Sequence, residues 1–320
     1  MFEVQTTGSM FPVFSNEEEM IQNWFDYLDV GKESTRKAYQ KGIVNFNRWR
    51  VANGISNPTA ENVTQWRNEL SEDHTPKTVA LYLTSVKLWF RFLEHKGMYP
   101  DVTKKIKPPK QEDTDRHLKD GLSLEQIKKL LGSIPRKTET QKRDYAMISL
   151  MITTGLRTVS VAEADIQDLT GFEEWKSDPE VTVFLHYRSK GKEKKTSVVK
   201  VTPQVCEALQ DYFSSRKDVQ PEQPLFTGSS RRIQGERLRS DSISRMIKTK
   251  LRNIGIDSAR LTAHSLRHSA AEIALENGRS LREVQQLLDH RSITVTEIYV
   301  KDLDRKKSQS EQTIANSIFD

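Results

Sequence analysis

Apolar residues recur at intervals of three or four through residues 17–97, a spacing that places them on one face of an α-helix. Breaks such as Gly31 and Asn53-Gly54 divide this stretch into four predicted helices. Four of the chain's five tryptophans lie on the apolar faces, and we expect them to pack in a core rather than stack on bases: Trp24, Trp49, Trp66 and Trp89. The pattern predicts a four-helix unit that folds by itself.

The pattern changes beyond this unit. Residues 105–120 are polar, include two adjacent prolines and have no apolar period, which is typical of an extended linker. Ser123 and Gln126 then have the spacing of a capping box, so a helix is expected to begin there. Another helix is predicted over 145–151 and should end near Gly155.

Residues 181–201 are rich in β-branched residues on both sides of a polar turn, which predicts a β-hairpin. Pro203 fits the first position of the next helix, helical patterns follow over 241–252 and 264–276, and Ser280 opens a further capped helix. We therefore expect a mainly α fold with a small β-sheet. The predicted segments are an N-terminal extension at 1–16, a helical domain at 17–104, a linker at 105–120, a second domain at 121–301 and a C-terminal tail at 302–320.

The 320-residue chain carries 50 Lys and Arg residues against 44 Asp and Glu residues, a net charge of +6. This mildly basic balance favours a polyanionic partner such as DNA, because phosphates attract the protein and binding releases counterions. The single cysteine, Cys206, excludes an intrachain disulfide framework and fits a reducing compartment. We expect a cytoplasmic protein with no membrane span, since no apolar run of 18 residues and no secretory signal pattern is present.

Two arginines are candidates for binding a phosphodiester. Arg157 follows a Thr-Gly-Leu turn at a predicted helix end, and Arg267 lies one helical turn after His264. Planar guanidinium groups bind phosphate oxygens bidentately, and negative charge grows on those oxygens during displacement at phosphorus. We therefore expect Arg157 and Arg267 to point into one cleft from different elements.

Tyr299 is the candidate nucleophile, and His264 and His290 are the candidates for handling its proton. A phenol, with a pKa near ~10, is activated and also leaves more readily than an alcohol, so a phosphotyrosine link is reversible. Histidine can share that proton at neutral pH. His268 follows His264 by four positions, but no third ligand accompanies this pair and no Walker-type loop is present. We therefore expect neither a metal nor any other cofactor.

Basic residues also cluster around the turn of the predicted hairpin. A lysine at a hairpin tip can reach DNA and protonate a departing 5′ oxygen, and its neighbours can attract phosphates. The residues in question are Arg188, Lys190, Lys192, Lys194 and Lys195.

These motifs together resemble those of the tyrosine recombinases, the phage integrase and Xer family. The family's Thr-Gly-Leu-Arg is matched at Arg157, and its His-x-Leu-Arg-His is matched at His264 and Arg267. Its Leu-Gly-His box, with a tyrosine nine residues beyond the histidine, is matched at His290 and Tyr299. The resemblance covers most of the chain, with 17–104 similar to the helical, SAM-like core-binding domain and 121–301 similar to the catalytic domain.

The family's Gly-Lys-Gly hairpin motif is matched by Ser189-Lys190-Gly191, which implies that Lys190 is the catalytic lysine. By this resemblance, the two domains clamp double-stranded DNA at a specific core site, and four protomers act on two duplexes. Cleavage proceeds one strand pair at a time through a 3′-phosphotyrosine intermediate and a four-way junction. The tail at 302–320 docks on a neighbouring protomer or, alternatively, on its own domain. Integration or excision of a mobile element and Xer-like dimer resolution are both compatible with this chemistry.

Two positions depart from the family pattern. Asp289 replaces the usual glycine of the Leu-Gly-His box, and Ser160 stands where an acidic residue often follows the first arginine by three positions. The sequence leaves open whether Glu163 or Asp165 takes its place. Because of these departures, a site-specific DNA architectural protein with weak or no catalysis is an alternative to the enzyme, and a type IB topoisomerase is a more remote one.

Overall fold

The computed structural model of the chain describes residues 11, 17–31, 33–110, 121–189, 192–217, 219–229, 233–289, 296 and 317–318. Two compact units are present, Met1–Thr114 and Asp115–Asp320. Each unit has its own hydrophobic core. The described elements are mainly helices together with one three-stranded sheet, which confirms the predicted fold class. The exact domain boundaries stay predictions.

The first unit is helical throughout its described elements. Its helices are α1 (Glu17–Tyr27), α2 (Glu33–Ala52), α3 (Ala60–Asp73) and α4 (Pro76–His95). Helix α3 begins at a capping box in which Thr59 and Asn62 bond to each other's backbone, and α4 begins with Pro76 in its first turn. Helices α2 and α4 pack along each other and form most of the core contacts between helices.

The tryptophans of this unit lie in its core, as the pattern predicted. Trp24, Trp66 and Trp89 are almost fully buried. Trp49 is partly buried against the same core, and its indole N–H donates to the carboxylate of Glu69. Core packing is therefore confirmed for three of these side chains and holds in part for Trp49.

The second unit combines further helices with the sheet. Its helices are α5 (Leu124–Gly132), α6 (Glu139–Thr154), α7 (Thr158–Glu163), α8 (Phe172–Trp175), α9 (Pro203–Ser214), α10 (Ser240–Asn253), α11 (Ala263–Glu276) and α12 (Leu281–Leu288). A 3-10 turn covers Ile166–Asp168, and the strands are β1 (Leu169–Thr170), β2 (Val183–Tyr187) and β3 (Ser197–Val201). The sheet has the antiparallel order β1-β2-β3.

Local signals placed several helix ends correctly. The Ser123 capping box starts α5, Pro203 lies in the first turn of α9, and the Ser280 capping box starts α12. Gly155 ends α6 in a left-handed conformation, with φ of 64°. The hairpin prediction is confirmed by β2 and β3.

The short elements α7, α8 and β1 were not predicted. They contain six, four and two residues, which is too few to display a helical or a strand period. Strand β1 exists because its Leu169 lies opposite Leu185 of β2, a pairing between residues distant in the chain. These elements therefore depend on tertiary contacts.

Helix α6 runs through the middle of the second unit and packs against α9 and α11. Its Arg143 and Asp144 form a buried ion pair, and Asp144 also pairs with Lys250 of α10 at 3.1 Å. The Arg143 guanidinium also donates to the Thr227 carbonyl. Cys206 of α9 is fully buried, which confirms its packing role, and burial raises the pKa of its thiol to about 11.

Candidate active site

Arg157, His264 and Arg267 line one cavity of about 390 Å³ in the second unit. Arg157 is the residue that precedes the first turn of α7, so its side chain projects where that helix starts. His264 lies in the first turn of α11 and is exposed, whereas Arg267 lies one turn further and is only 4% exposed. The structure therefore brings together three of the predicted catalytic residues from two different helices.

Arg267 also links three segments of the site. Its Nη1 donates to the carbonyl of Gly155 at 2.6 Å, and its Nη2 donates to the carbonyl of Leu288. Gly155 lies two residues before Arg157, and Leu288 lies two residues before His290. A single buried guanidinium thus fixes the backbone beside two other predicted site residues.

Gly155 is required at its position by both backbone shape and space. Its φ of 64° lies in the left-handed region, and a Cβ added to it would meet Leu288 Cδ2 at 2.7 Å. Leu288 is fully buried, so a shift of its side chain would disturb the packing around it. Arg267 bonds to the carbonyls of both residues that meet at this contact.

Tyr187, at the end of β2, is a residue of the site region that sequence reasoning did not single out. Its side chain is 4% exposed. Burial and the nearby carboxylate of Asp289 raise the pKa of its phenol, while Arg267, a hydrogen bond with Ser189 and Arg157 act in the opposite direction. Tyr187 therefore lies within electrostatic reach of both arginines, a proximity created by folding and invisible in the sequence.

Basic residues at the base of the β2–β3 loop have acidic partners. The Arg188 guanidinium pairs with Glu163, whose hydrogen bond and charge raise the pKa of Arg188. Lys195 pairs with Asp165 and Asp168. Lys192 and Lys194 are exposed.

Lys190, His290 and Tyr299 lie outside the described residues, so their roles and their places around the cavity stay predictions. The tail prediction also lies outside them, apart from residues 317–318. In the part of the chain that the structure describes, His264 and His268 stack edge to face at 4.7 Å, and no group of three or more potential metal ligands gathers. No helix within the same described ranges has the length and apolar character needed to cross a membrane.

A basic groove of about 440 Å³ lies on the first unit. Lys37, Lys41 and Arg48 of α2 line it together with Tyr82 of α4. These three cations repeat at helical spacing and are exposed, although Lys37 also pairs with Glu33 at 2.5 Å. We refer to this surface as the α2 groove.

Two guanidinium groups and an imidazole around one cavity can bind a phosphodiester and take up or release a proton beside it. The chain belongs to the phage integrase family. The model of that family matches residues 121–306, more than half of the chain, and the model described as the phage integrase N-terminal SAM-like domain matches residues 21–97. This result confirms the resemblance to tyrosine recombinases.

Known proteins support the same assignment. The chain is 28% identical over 299 residues to the tyrosine recombinase XerD of Listeria innocua, covering 88% of this chain and 93% of that protein. Its fold is similar to XerH site-specific recombinase bound to a palindromic difH substrate, with a TM-score of 0.69, 18% identity and coverage of 88% and 80%. It is also similar to a lambda integrase tetramer bound to a Holliday junction, with a TM-score of 0.63, 14% identity and coverage of 86% and 77%.

Proposed function

We propose that this tyrosine recombinase cleaves and rejoins duplex DNA at a specific core site through a 3′-phosphotyrosine intermediate. The Tyr299 oxygen attacks a backbone phosphorus and forms the new P–O bond. The bond from that phosphorus to the 5′ oxygen breaks, and that oxygen leaves with a proton. The 5′ hydroxyl of a partner strand later attacks the same phosphorus, which releases Tyr299 and seals the new strand without ATP.

The proposed roles of the other residues follow from their chemistry. Arg157 and Arg267 stabilise the charge on the nonbridging oxygens, and His290 donates a hydrogen bond to one of them. His264 takes the phenol proton, and Lys190 supplies the proton to the departing 5′ oxygen. The observation that carries this proposal is the single cavity lined by Arg157, His264 and Arg267.

The proposed partners are double-stranded DNA and further copies of this chain. We propose that the exposed lysines and arginine of the α2 groove contact backbone phosphates, which would make binding fall with added salt. We also propose that four protomers act on two duplexes. A lambda integrase of similar fold was crystallised as a tetramer on a Holliday junction, which supports this assembly.

The test begins by selecting the sequence that the Tyr299→Phe variant binds from a random duplex library. A nicked duplex carrying that sequence then traps the cleaved strand. Wild type should form a covalent adduct on the 3′ end, and Tyr299→Phe should bind equally well and form none, because it lacks the attacking oxygen. An adduct with Tyr299→Phe would refute the assignment of the nucleophile.

Two other outcomes would favour the alternative functions. A wild-type chain that binds its selected site and forms no adduct would be an architectural protein. Relaxation of a plasmid without that site by monomers would indicate a topoisomerase. Sizing of the wild-type complex on two duplexes should give the mass of four protomers.

A further inference from the structure

Both ends of the loop between β2 and β3 are tied to one acidic segment of the chain. On the first side, Arg188 Nε donates to Glu163 Oε2 at 2.9 Å, and Ser160 Oγ donates to the Arg188 carbonyl at 3.2 Å. On the second side, Lys195 Nζ donates to Asp165 at 2.6 Å and also to Asp168. The three carboxylates lie within residues 163–168, at the last residue of α7 and just beyond it.

This acidic segment is itself held in place. Arg237 donates to the carbonyls of Ala162 and Ala164 at 2.9 and 3.1 Å, and it pairs with Asp165. Burial acts to raise the pKa of Asp165, but hydrogen bonds from Arg237 and Lys195 outweigh it, so that pKa is lowered. The carboxylate is therefore charged and paired at neutral pH.

The same short stretch of chain carries Arg157 at one end and these carboxylates at the other. Arg157 precedes α7, and Glu163 is the last residue of α7. Ser189, next in the chain to Lys190, is buried and shares a hydrogen bond with Ser197 of β3. Ser189 is therefore held in place where the chain enters the loop.

We propose that Glu163 and the Asp165–Asp168 pair are positioning residues for the protonating lysine. They fix the two ends of the loop to the segment that starts at Arg157, so that Lys190 and the phosphate-binding arginine keep one relative geometry. The inference depends on the function proposed above. It also assigns Arg188 and Lys195 to anchoring the loop, which leaves Lys192 and Lys194 as its candidates for phosphate contact.

We expect the ion pairs to matter through the position of the reacting groups rather than through the stability of the fold. The ion pair of Arg188 and Glu163 is 41% and 30% exposed, and partly exposed pairs contribute little to stability. A displacement of about 1 Å at a reacting group can nevertheless cost ~10²-fold in rate. Losing this pair should therefore slow the chemistry that needs Lys190 much more than it weakens the fold.

The test compares two scissile phosphates in the nicked duplex that carries the selected site. One has the ordinary 5′ oxygen, and the other has a bridging 5′ sulfur at the cleavage position mapped with wild type. When the P–S bond breaks, sulfur leaves as a thiolate without protonation, because a thiol pKa is near ~8.5 and far below that of an alcohol. The sulfur substrate therefore removes the need for Lys190.

The variants are Glu163→Gln and the double variant Asp165→Asn with Asp168→Asn. Each should cleave the oxygen substrate roughly 10- to 10²-fold more slowly than wild type. Each should bind the duplex as wild type does and cleave the sulfur substrate at about the wild-type rate. Lys190→Ala should behave in the same way, whereas Arg157→Ala should be slow on both substrates.

Glu193→Gln is the matched control, since it removes an exposed carboxylate from the same loop. It should cleave both substrates at the wild-type rate. Positioning variants that are slow on both substrates, or on neither, would overturn the inference. A different result, no covalent adduct of wild type with either substrate, would refute the function proposed above.

Discussion

Replacing Gly155 with alanine should damage both the stability of the second unit and the site itself. Two costs combine at this position. The left-handed conformation, with φ of 64°, costs an L-residue about 1–2 kcal/mol. The new Cβ would also lie 2.7 Å from Leu288 Cδ2, about 1 Å inside the favourable carbon–carbon distance.

Overpacking of this kind costs about 1–3 kcal/mol, because Leu288 is fully buried and has to shift against its neighbours in the core. The middle of the combined range is about 3.5 kcal/mol, which for a unit of this size lowers the melting temperature by roughly 7–14 °C. Calorimetry is the suitable assay, because four of the five tryptophans lie in the first unit and would dominate fluorescence. Cleavage should fall as well, since Leu288 carries one of the carbonyls that hold Arg267.

Two other glycines separate these costs. Gly278 has φ of 80° but open space around its Cβ position, so Gly278→Ala should show only the backbone cost. Gly132 has open space and no positive φ, so Gly132→Ala should be neutral or slightly stabilising. If Gly155→Ala and Gly278→Ala had the same melting temperature, the contact with Leu288 would add no cost and that part of the prediction would be wrong. If Gly278→Ala and Gly132→Ala had the same melting temperature, the left-handed conformation would add no cost and that part of the prediction would be wrong.

Further predictions concern the C-terminus of α12 and the acidic segment. Asp289 ends α12 with φ of 49°, so Asp289→Gly should stabilise the second unit by about 1 kcal/mol in calorimetry, and an unchanged or lower melting temperature would contradict this. The folded chain lowers the pKa of Asp165 below 3.8, so its contribution to stability is present above that pH and is lost as pH falls through the lowered value. In urea unfolding, Asp165→Asn should have a lower free energy of unfolding than wild type at pH near ~6, and this difference should disappear below pH 3.8. A difference that stayed the same at both pH values would contradict a lowered pKa of Asp165.

Much of the architecture followed from local signals. Helical periodicity identified the core-facing tryptophans, and capping residues such as Ser123 and Ser280 marked helix starts. Composition and a polar turn identified the β2–β3 hairpin. These features are encoded within a few residues, because hydrogen bonds at a helix end or a hairpin turn depend on neighbours in the chain.

The sequence predicted residues of the candidate site but not the contacts that hold them. The motifs pointed to Arg157, His264 and Arg267, and the structure places these three around one cavity. Nothing in the sequence indicated that Arg267 would bond to two distant carbonyls, or that Tyr187 would lie near both arginines. The partners of Lys195 were equally hidden, since the carboxylates that hold it are 27 and 30 residues away in the chain.

The sequence by itself determined the helical class, the hairpin and the residue types available for attack on a phosphodiester. Tertiary structure decided which of those residues meet, how Gly155 and Leu288 approach each other, and which basic side chains are tied to carboxylates. The physical reason is that periodicity and capping act over one or two turns of chain. Ion pairs, close backbone contacts and electrostatic neighbours arise only when distant segments are brought together by burial of the core.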